Sequence, residues 1–379
     1  MKRLRITSIL LFALLLPWLL LSCDKKKDQY EPTPYELTIP KYFPTILNLP
    51  SDNPMTKEGV ELGYKLFNDT RLCGYTGSNP DSLICCASCH VQRYGFDIGI
   101  DNPRLQNGKA RGMHGSTHHN VMPLCNLVFN SEGYLWNGAV YGDKNIEDIV
   151  LAAITADDEL AATTYQAVAH IKDDPVYKEM FRKAFGSEEV TMERIQKAIA
   201  QFVRTLVSSN SRFDQYLRGE GQLTEQELRG YVLFTTEEGA DCFHCHGGAG
   251  TPLFTTNLFY NNALDANPTD PQDRFSVTGR PQDLGAYRAP TLRNVAITAP
   301  YMHDGRYNTL DEVLEFYNCG LQQSPYVHPL MHKINEGGAM LTPSQIADLK
   351  AFLNTLTDES FTNPLDYENT ARLRQLRKA

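Results

Sequence analysis

Two five-residue stretches decide the fold of this chain: Cys86-Ala87-Ser88-Cys89-His90 and Cys242-Phe243-His244-Cys245-His246. Both match C-x-x-C-H, the pattern of covalent c-type haem attachment. Two thiols three residues apart on one helical turn reach both vinyl groups of a porphyrin, and the next imidazole binds the iron. A lone C-x-x-C could instead be a redox dithiol or half of a zinc site. Two copies, 156 residues apart, predict two covalently bound haem c groups.

The sequence around both motifs has the periodicity of helices. Apolar residues recur at helical spacing before the first motif, and capping boxes begin at Thr224, Thr309 and Thr342. No sustained two-residue alternation, which is typical of strands, occurs. We therefore predict a mainly α fold with two cytochrome c-like haem domains and long loops. The polar segment 208–212 is the candidate boundary between the two domains.

Length and composition agree with two domains. The 379 residues correspond to about two domains at roughly 150 residues each. A hydrophobic fraction of 42% and a charged fraction of 21% are typical of a soluble globular protein. The net charge of −9 argues against nucleic acid as a partner. We place the haem domains at 50–209 and 210–356, followed by a C-terminal tail at 357–379.

The first 22 residues have the pattern of an export signal. Three basic residues precede an apolar run that is too short to span a bilayer comfortably. The run ends in Leu20-Leu21-Ser22-Cys23, which resembles the lipobox of bacterial lipoproteins; a plain secretory signal is the alternative. We predict a lipoprotein signal peptide at 1–22, a tether at 23–49, and a periplasmic protein held to a membrane of the bacterial envelope by lipid on Cys23. Removing the signal would change the net charge to −12.

The order of these segments resembles the bacterial di-haem cytochrome c peroxidase family, which includes the MauG-type enzymes. The resemblance extends from about Pro54 to Leu356 and implies a peroxidatic N-terminal haem domain and an electron-transfer C-terminal one. The matching stretches, besides CASCH, are LGYKLFND (62–69), FVRTLVSS (202–209), CFHCHGG (242–248) and APTLRNVAITAPYMHDG (289–305).

At the first haem the resemblance implies His90 as the proximal ligand and Glu159 as a distal acid–base group. The alternative is that Glu159 is a solvated acid at a helix end. The family usually has Gln ten residues before this glutamate, where this chain has Ile149. The family's Trp-Asp-Gly-Arg segment is here Trp136-Asn137-Gly138-Ala139. Whether the first haem can react with peroxide is therefore open.

Two further residues near the first haem take roles from the resemblance. His114 lies near the position of a histidine that binds the first iron in many resting peroxidases, although exact register needs a two-residue slip. His118 and His119 compete for that role, and all three could be exposed. Trp136 is the only tryptophan after signal removal, and the resemblance implies that it passes electrons between the haems. Core packing is the alternative.

At the second haem His246 is the proximal ligand. The identity of the distal ligand distinguishes the two kinds of family member. Tyr317 follows the capping box at Thr309 on the same helical face as Leu310, Val313 and Leu314. Ordinary di-haem peroxidases have methionine at this position, and MauG-like members have tyrosine. Tyr317 is therefore the predicted distal iron ligand. A core tyrosine is the alternative, with Met331 and Met340 as substitute ligands.

The resemblance implies one further metal. Family enzymes hold Ca²⁺ between the domains, and the corresponding ligands are the side chain of Asn120 and the backbone oxygens of Thr298 and Pro300. His303 is interpreted as an inter-domain or haem-propionate contact. Four cysteines have no assigned role; Cys73 and Cys85 could be bridged, Cys125 and Cys319 could pair or stay free, and the sequence leaves the connectivity open.

These assignments give three hypotheses for function. The first is a peroxidase that reduces H2O2 to water with electrons from a small redox protein of the cytochrome c or cupredoxin type, entering at the second haem. The second is a MauG-like enzyme that oxidises a protein partner. The third is a non-catalytic di-haem electron carrier or sensor. A homodimer is compatible with each, since the sequence does not determine oligomeric state.

Overall fold

We describe the fold from a computed structural model, which describes residues 30–363 apart from residue 76, residues 78–81 and residue 249. The predicted signal peptide with its anchor residue Cys23, the first part of the tether and the end of the C-terminal tail lie outside the described residues. No helix within the described residues is long and apolar enough to cross a membrane. The described residues from Pro32 onward form one compact unit.

The predicted mainly α fold is confirmed. Thirteen α-helices lie within the described residues: α1 (Lys57–Phe67), α2 (Cys86–Cys89), α3 (Ile146–Thr155), α4 (Thr164–Ala169), α5 (Pro175–Phe185), α6 (Met192–Arg204), α7 (Arg212–Arg218), α8 (Glu225–Phe234), α9 (Phe243–His246), α10 (Arg274–Thr278), α11 (Leu310–Cys319), α12 (Pro343–Asn354) and α13 (Glu359–Thr362).

In the part of the chain that the structure describes, the strands form two short antiparallel ribbons. β1 (Leu105–Gln106) pairs with β2 (Lys109–Ala110), and β3 (Phe259–Tyr260) pairs with β4 (Tyr287–Arg288). Neither ribbon is long enough to hold a core of its own. Both haem motifs lie on helices, α2 and α9, and not on these ribbons.

The predicted capping boxes begin helices as expected. The side chains of Thr224, Thr309 and Thr342 accept hydrogen bonds from backbone N–H groups in the first turns of α8, α11 and α12. The acidic or amide residue three positions later bonds back to each threonine N–H. Each box satisfies N–H groups that a helix start leaves unpaired, which is why these boundaries are readable from sequence.

Two helix pairs form the centres of two apolar cores. α1 packs on α6 through Gly63, where an added Cβ would lie 1.9 Å from the Ala198 carbonyl oxygen. α8 packs on α12 in the same way through Gly230, where a Cβ would lie 1.9 Å from the Asp348 carbonyl oxygen. The first core is built from residues between 55 and 206 with Phe361, and the second from residues between 213 and 356. The domain limits themselves stay a prediction.

Buried polar contacts join the segments near residues 208–212. The carboxylate of Asp358 accepts hydrogen bonds from the Ser208 hydroxyl and from the backbone N–H groups of Ser209 and Asn210. The start of the predicted tail thus belongs to the fold, as α13 with the buried Phe361. Part of the predicted tether also packs on the fold, since Phe43 is buried edge-on against Phe129, whereas Tyr42 and Ile46 are exposed.

Candidate functional site

The first haem motif forms one helical turn with its imidazole at the end. Cys86 and Cys89 are the first and last residues of α2, and His90 is its C-cap. Nδ1 of His90 lies 2.9 Å from the carbonyl oxygen of Phe96. Because a carbonyl only accepts, Nδ1 donates and Nε2 keeps its lone pair. Burial lowers the pKa of His90 to about 4, so the imidazole is neutral and suited to bind iron.

The second haem motif repeats this arrangement. Cys242 is the N-cap of α9, which ends at His246, and Nδ1 of His246 lies 3.1 Å from the Pro290 carbonyl oxygen. Burial likewise lowers the pKa of His246 to about 4. Cys242, Cys245 and His246 together line a large, mainly apolar cavity, which we call the second-haem cavity. Its donor set and apolar walls fit a covalently bound haem c.

Tyr317 enters the second-haem cavity. It lines that cavity together with Leu310, Val313 and Leu314, the other members of the predicted helical face. Asn262 donates a hydrogen bond from Nδ2 to the Tyr317 hydroxyl at 2.9 Å. Burial raises the pKa of the Tyr317 phenol, and the bond from Asn262 opposes that rise. Of the substitutes, Met331 also lines the cavity, whereas Met340 is 64% exposed.

Trp136 is buried in the wall of the second-haem cavity. Its indole Nε1 donates a hydrogen bond to the backbone oxygen of Asn120 at 2.8 Å, and its own backbone oxygen accepts one from Arg288 N–H at 2.7 Å. The first bond orients the indole ring, and the second holds the backbone of Trp136 in place. The residue is both packed and adjacent to the haem position, so the two predicted roles are compatible.

Glu159 lies near the first motif. Burial raises the pKa of the Cys86 and Cys89 thiols, and the nearby Glu159 carboxylate raises both pKa values further. Burial, helped by the neighbouring Asp158, raises the pKa of Glu159 itself to about 7. Such a carboxyl group can gain and lose a proton near neutral pH, as an acid–base group must. Ile149, which stands in place of the family's Gln, packs against the first apolar core.

The histidines near the first motif divide into two groups. His114 is exposed, and its backbone N–H bonds to the Asp157 carbonyl oxygen at 3.1 Å. The neighbouring N–H of Met113 bonds to the Glu159 carbonyl oxygen at 2.9 Å, so this loop lies beside Glu159. His118 and His119, in contrast, both bond to the carboxylate of Asp270.

The three predicted calcium ligands come together at the second-haem cavity, which Asn120, Thr298 and Pro300 all line. Asn120 Nδ2 donates to the Pro300 carbonyl oxygen at 2.7 Å. Asn120 Oδ1 is buried without a hydrogen-bond partner among the described residues. A buried oxygen without a partner is costly, and a cation would satisfy it, so the donor set fits Ca²⁺.

Two arginines that the sequence analysis missed lie beside the Trp136 segment. Arg288 is buried in the cavity wall, donates to Asn257 Oδ1 at 2.8 Å, and has no carboxylate partner within the described residues. Burial lowers its pKa to about 10. Arg274 donates to the carbonyl oxygens of Asn137 and Gly138, next to the position where the family's arginine is replaced by Ala139. Both arginines lie far from Trp136 in the sequence, so no local sequence pattern links them to it.

The remaining predicted residues are placed as follows. His303 is buried, lines the second-haem cavity and stacks on Tyr287 with ring centroids 3.7 Å apart. The four unassigned cysteines are free thiols, of which only Cys319 is exposed. The bridge that Cys73 and Cys85 could have formed is absent, and Cys85 instead caps α2, with its Sγ 3.6 Å from Ser88 Oγ.

Sequence comparisons place this geometry among known proteins. The family model described as di-haem cytochrome c peroxidase matches residues 57–222. A cytochrome c551 peroxidase of Nitrosomonas europaea is 33% identical over 81% of this chain and 82% of its own length. A methylamine utilization protein MauG of Methylorubrum extorquens is 32% identical over 82% of this chain and 81% of its own length.

Solved structures of related proteins have the same fold. A MauG-like protein associated with microbial copper homeostasis superposes with a TM-score of 0.75 and 33% identity, covering 89% of this chain and 99% of that one. The diheme peroxidase BthA of Burkholderia thailandensis superposes with a TM-score of 0.64 at 22% identity over 82% of this chain and 88% of that one, and shows the shared fold.

Proposed function

This chain belongs to the di-haem cytochrome c peroxidase family, and from that membership we propose that it reduces H2O2 to water with electrons from a small redox protein. The observation that supports the proposal most directly is the pairing of two haem motifs with a titratable carboxyl group, Glu159, beside the first motif. Peroxide reduction at the first motif needs such a group, and electron entry needs the second motif.

Each motif would hold its haem through its two cysteines and its histidine: Cys86, Cys89 and His90, and Cys242, Cys245 and His246. Bound haem would supply the iron at which peroxide binds and through which electrons pass. The protein orients each imidazole through one backbone carbonyl, as the Nδ1 contacts of His90 and His246 indicate. That contact raises the basicity of the ligating nitrogen.

Glu159 would move the proton in peroxide cleavage. As a carboxylate it would accept a proton from peroxide, and as a carboxylic acid it would return that proton to the leaving oxygen. A pKa of about 7 makes both steps accessible near neutral pH. Ile149 stands where the family usually has Gln, so no amide at that position would assist Glu159 in the proton transfer.

Electrons would enter at the second haem and pass the buried Trp136 on the way to the first. Trp136 lines the second-haem cavity and is held by two backbone hydrogen bonds. The acidic balance of the chain, −9 overall, favours a basic or dipolar donor of the cytochrome c or cupredoxin type.

Steady-state turnover of H2O2 with a reduced small cytochrome as donor tests this function. We expect peroxide-dependent oxidation of the donor by the haem-loaded protein and its loss in Glu159→Gln. The matched control Asp157→Asn removes a neighbouring exposed carboxylate and should retain activity. Two haems that never react with peroxide would contradict the proposal and favour a carrier or sensor.

A MauG-like activity, the oxidation of a residue on a protein partner, is the second candidate, because Tyr317 lies in the second-haem cavity. A phenolate is a hard anionic donor that favours ferric iron, in contrast to a thioether. We assign Tyr317 as the distal ligand of the second haem in either function. A fast reaction with peroxide without turnover of any cytochrome donor would favour this candidate.

The proposed function also includes a bound Ca²⁺ ion. Asn120 through its side chain, and Thr298 and Pro300 through backbone oxygens, would hold Ca²⁺ beside the second-haem cavity. The Oδ1 of Asn120, which has no hydrogen-bond partner among the described residues, supports this assignment. The ion would also hold Trp136 in place, because Trp136 Nε1 donates a hydrogen bond to the backbone oxygen of Asn120.

The proposed location is the periplasm, with membrane attachment through lipid on Cys23. The charged start, apolar run and lipobox-like end of residues 1–23 support it. Metabolic labelling with a fatty acid, compared between the natural chain and Cys23→Ala, tests the anchor. Unlabelled natural chain would favour a plain secretory signal.

A further inference from the structure

Two neighbouring histidines and one aspartate meet at a surface cleft that shares Tyr287 and His303 with the wall of the second-haem cavity. Nε2 of His118 lies 2.7 Å from Oδ1 of Asp270, and Nε2 of His119 lies 2.6 Å from Oδ2 of the same carboxylate. The two segments are more than 150 residues apart in sequence and are brought together only by the fold. We propose that His118, His119 and Asp270 form a binding site for a divalent transition-metal ion of the Zn²⁺ or Cu²⁺ class.

The ligand types select this class of ion. Two imidazole nitrogens and one carboxylate are donors that Zn²⁺ and Cu²⁺ prefer, whereas Ca²⁺ and Mg²⁺ prefer oxygen donors alone. Three protein ligands with an open fourth position are typical of zinc sites that accept water or a further ligand. His303 stands next to the group, with Nε2 3.9 Å from Asp270 Oδ2.

The distances require only a small opening of the cluster. The donor atoms of the three side chains lie within 4.8 Å of one another. Ligands bound at 2.0–2.1 Å to a tetrahedral ion lie about 3.3 Å apart. The His–Asp contacts must therefore lengthen by about 0.6 to 0.7 Å. The His118 side chain is 35% exposed and has room to rotate.

A second set of contacts orients the carboxylate. The backbone N–H of Gln272 donates to Asp270 Oδ1 at 2.9 Å, and the Tyr287 hydroxyl donates to Asp270 Oδ2 at 2.7 Å. Such outer contacts hold ligand groups in place around bound metals. His118, His119 and Asp270 line an open cleft together with Lys109 and Asp265, so an ion can reach them from solvent.

Isothermal titration of the haem-loaded protein with Zn²⁺, in excess calcium, tests the site. Haem-bound His90 and His246 do not compete, and excess calcium fills any oxygen-donor site. We expect one saturable Zn²⁺ per chain, with at least about tenfold weaker binding in His119→Ala and in Asp270→Asn. The matched control His170→Ala removes an exposed histidine elsewhere and should bind Zn²⁺ like the natural chain.

Two outcomes would overturn the proposal. The first is the absence of saturable binding in the natural chain. The second is unchanged affinity in Asp270→Asn together with loss in His332→Ala, which would assign binding to the group of Glu237, His244 and His332. Cu²⁺ electron paramagnetic resonance of the natural chain needs no variant: hyperfine splitting from two imidazole nitrogens supports the site, and an all-oxygen spectrum contradicts it.

Discussion

Asn262 donates a 2.9 Å hydrogen bond to the phenol oxygen of Tyr317 inside the cavity that also contains His246. These two residues are 55 positions apart in sequence. The bond is directed at the atom that would bind iron, so it both orients the phenol and favours its ionised form, against the burial that raises its pKa. An iron-bound phenolate would keep this bond, because an oxygen with two lone pairs can bind a metal and accept a hydrogen.

Replacing Tyr317 by Phe should change the second haem and leave the first unaltered. Loss of an anionic oxygen ligand raises the reduction potential of the iron and removes phenolate vibrations from the resonance Raman spectrum. Electron paramagnetic resonance and resonance Raman of the haem-loaded variant measure both. Tyr307→Phe is the matched control, since Tyr307 packs in the same apolar cluster but does not line the cavity. Identical spectra for the natural chain and Tyr317→Phe would show a core tyrosine.

The reaction with peroxide should depend on pH through Glu159. Because burial raises its pKa to about 7, the carboxylate needed to accept a proton is present above that pH and is lost below it. We expect the second-order rate constant to rise as pH increases through about 7, and Glu159→Gln to be slower by about 100-fold or more with no such rise. Stopped-flow absorbance of the first haem measures both. A pH-independent rate in the natural chain would remove Glu159 from the proton transfer.

The buried ion pair of Arg293 and Asp214 should dominate local stability near the second motif. Arg293 donates to both oxygens of Asp214 at 2.8 and 2.6 Å, and both side chains are almost fully buried. Removing one charge leaves the other uncompensated, so Asp214→Asn should cost about 3 kcal/mol at neutral pH. Urea unfolding of the haem-loaded protein measures the loss. Glu179→Gln is the control: it breaks exposed pairs with Arg182 and Lys183 and should cost under about 0.5 kcal/mol.

The same pair predicts a pH dependence with a definite sign. Burial raises the pKa of Asp214, but the hydrogen bonds from Arg293 outweigh it and hold the pKa below its usual value. The stabilisation is therefore complete above about pH 4, the pKa of an unfolded aspartate, and declines as pH falls through the lower folded-state pKa. The difference between the natural chain and Asp214→Asn should shrink on acidification. A constant difference from pH 7 to 3 would contradict this.

Calcium removal should loosen the Trp136 region. Chelation with EGTA is expected to lower the thermal unfolding temperature of the haem-loaded protein, with recovery on adding Ca²⁺ but not Mg²⁺, which demands tighter octahedral geometry. Asn120→Ala should remove this response, because it removes the buried Oδ1 that no described residue hydrogen-bonds. Asn137→Ala, on the nearby Trp136 segment, is the control and should keep it. A response that persists in Asn120→Ala would place the calcium elsewhere.

The parts of this protein that follow from short-range chemistry could be predicted from sequence. A C-x-x-C-H pattern places two thiols and an imidazole on one helical turn, and α2 and α9 do so. The boxes at Thr224, Thr309 and Thr342 satisfy backbone groups three residues away, so they determine where helices begin. Each of these patterns is complete within about five residues, and its geometry needs no distant partner.

Only the tertiary structure decided which distant groups meet. The apolar face of α11 can be predicted from the spacing of its apolar residues. Only the packing of that helix determines that Tyr317 shares a cavity with His246. Arg288 beside Trp136, and Asp270 beside His118 and His119, are contacts across more than 130 residues. No local propensity encodes such pairs, because they depend on how helices and loops pack around two cores. The sequence therefore determined the haem attachment and the helix starts, and the packing determined what surrounds each haem.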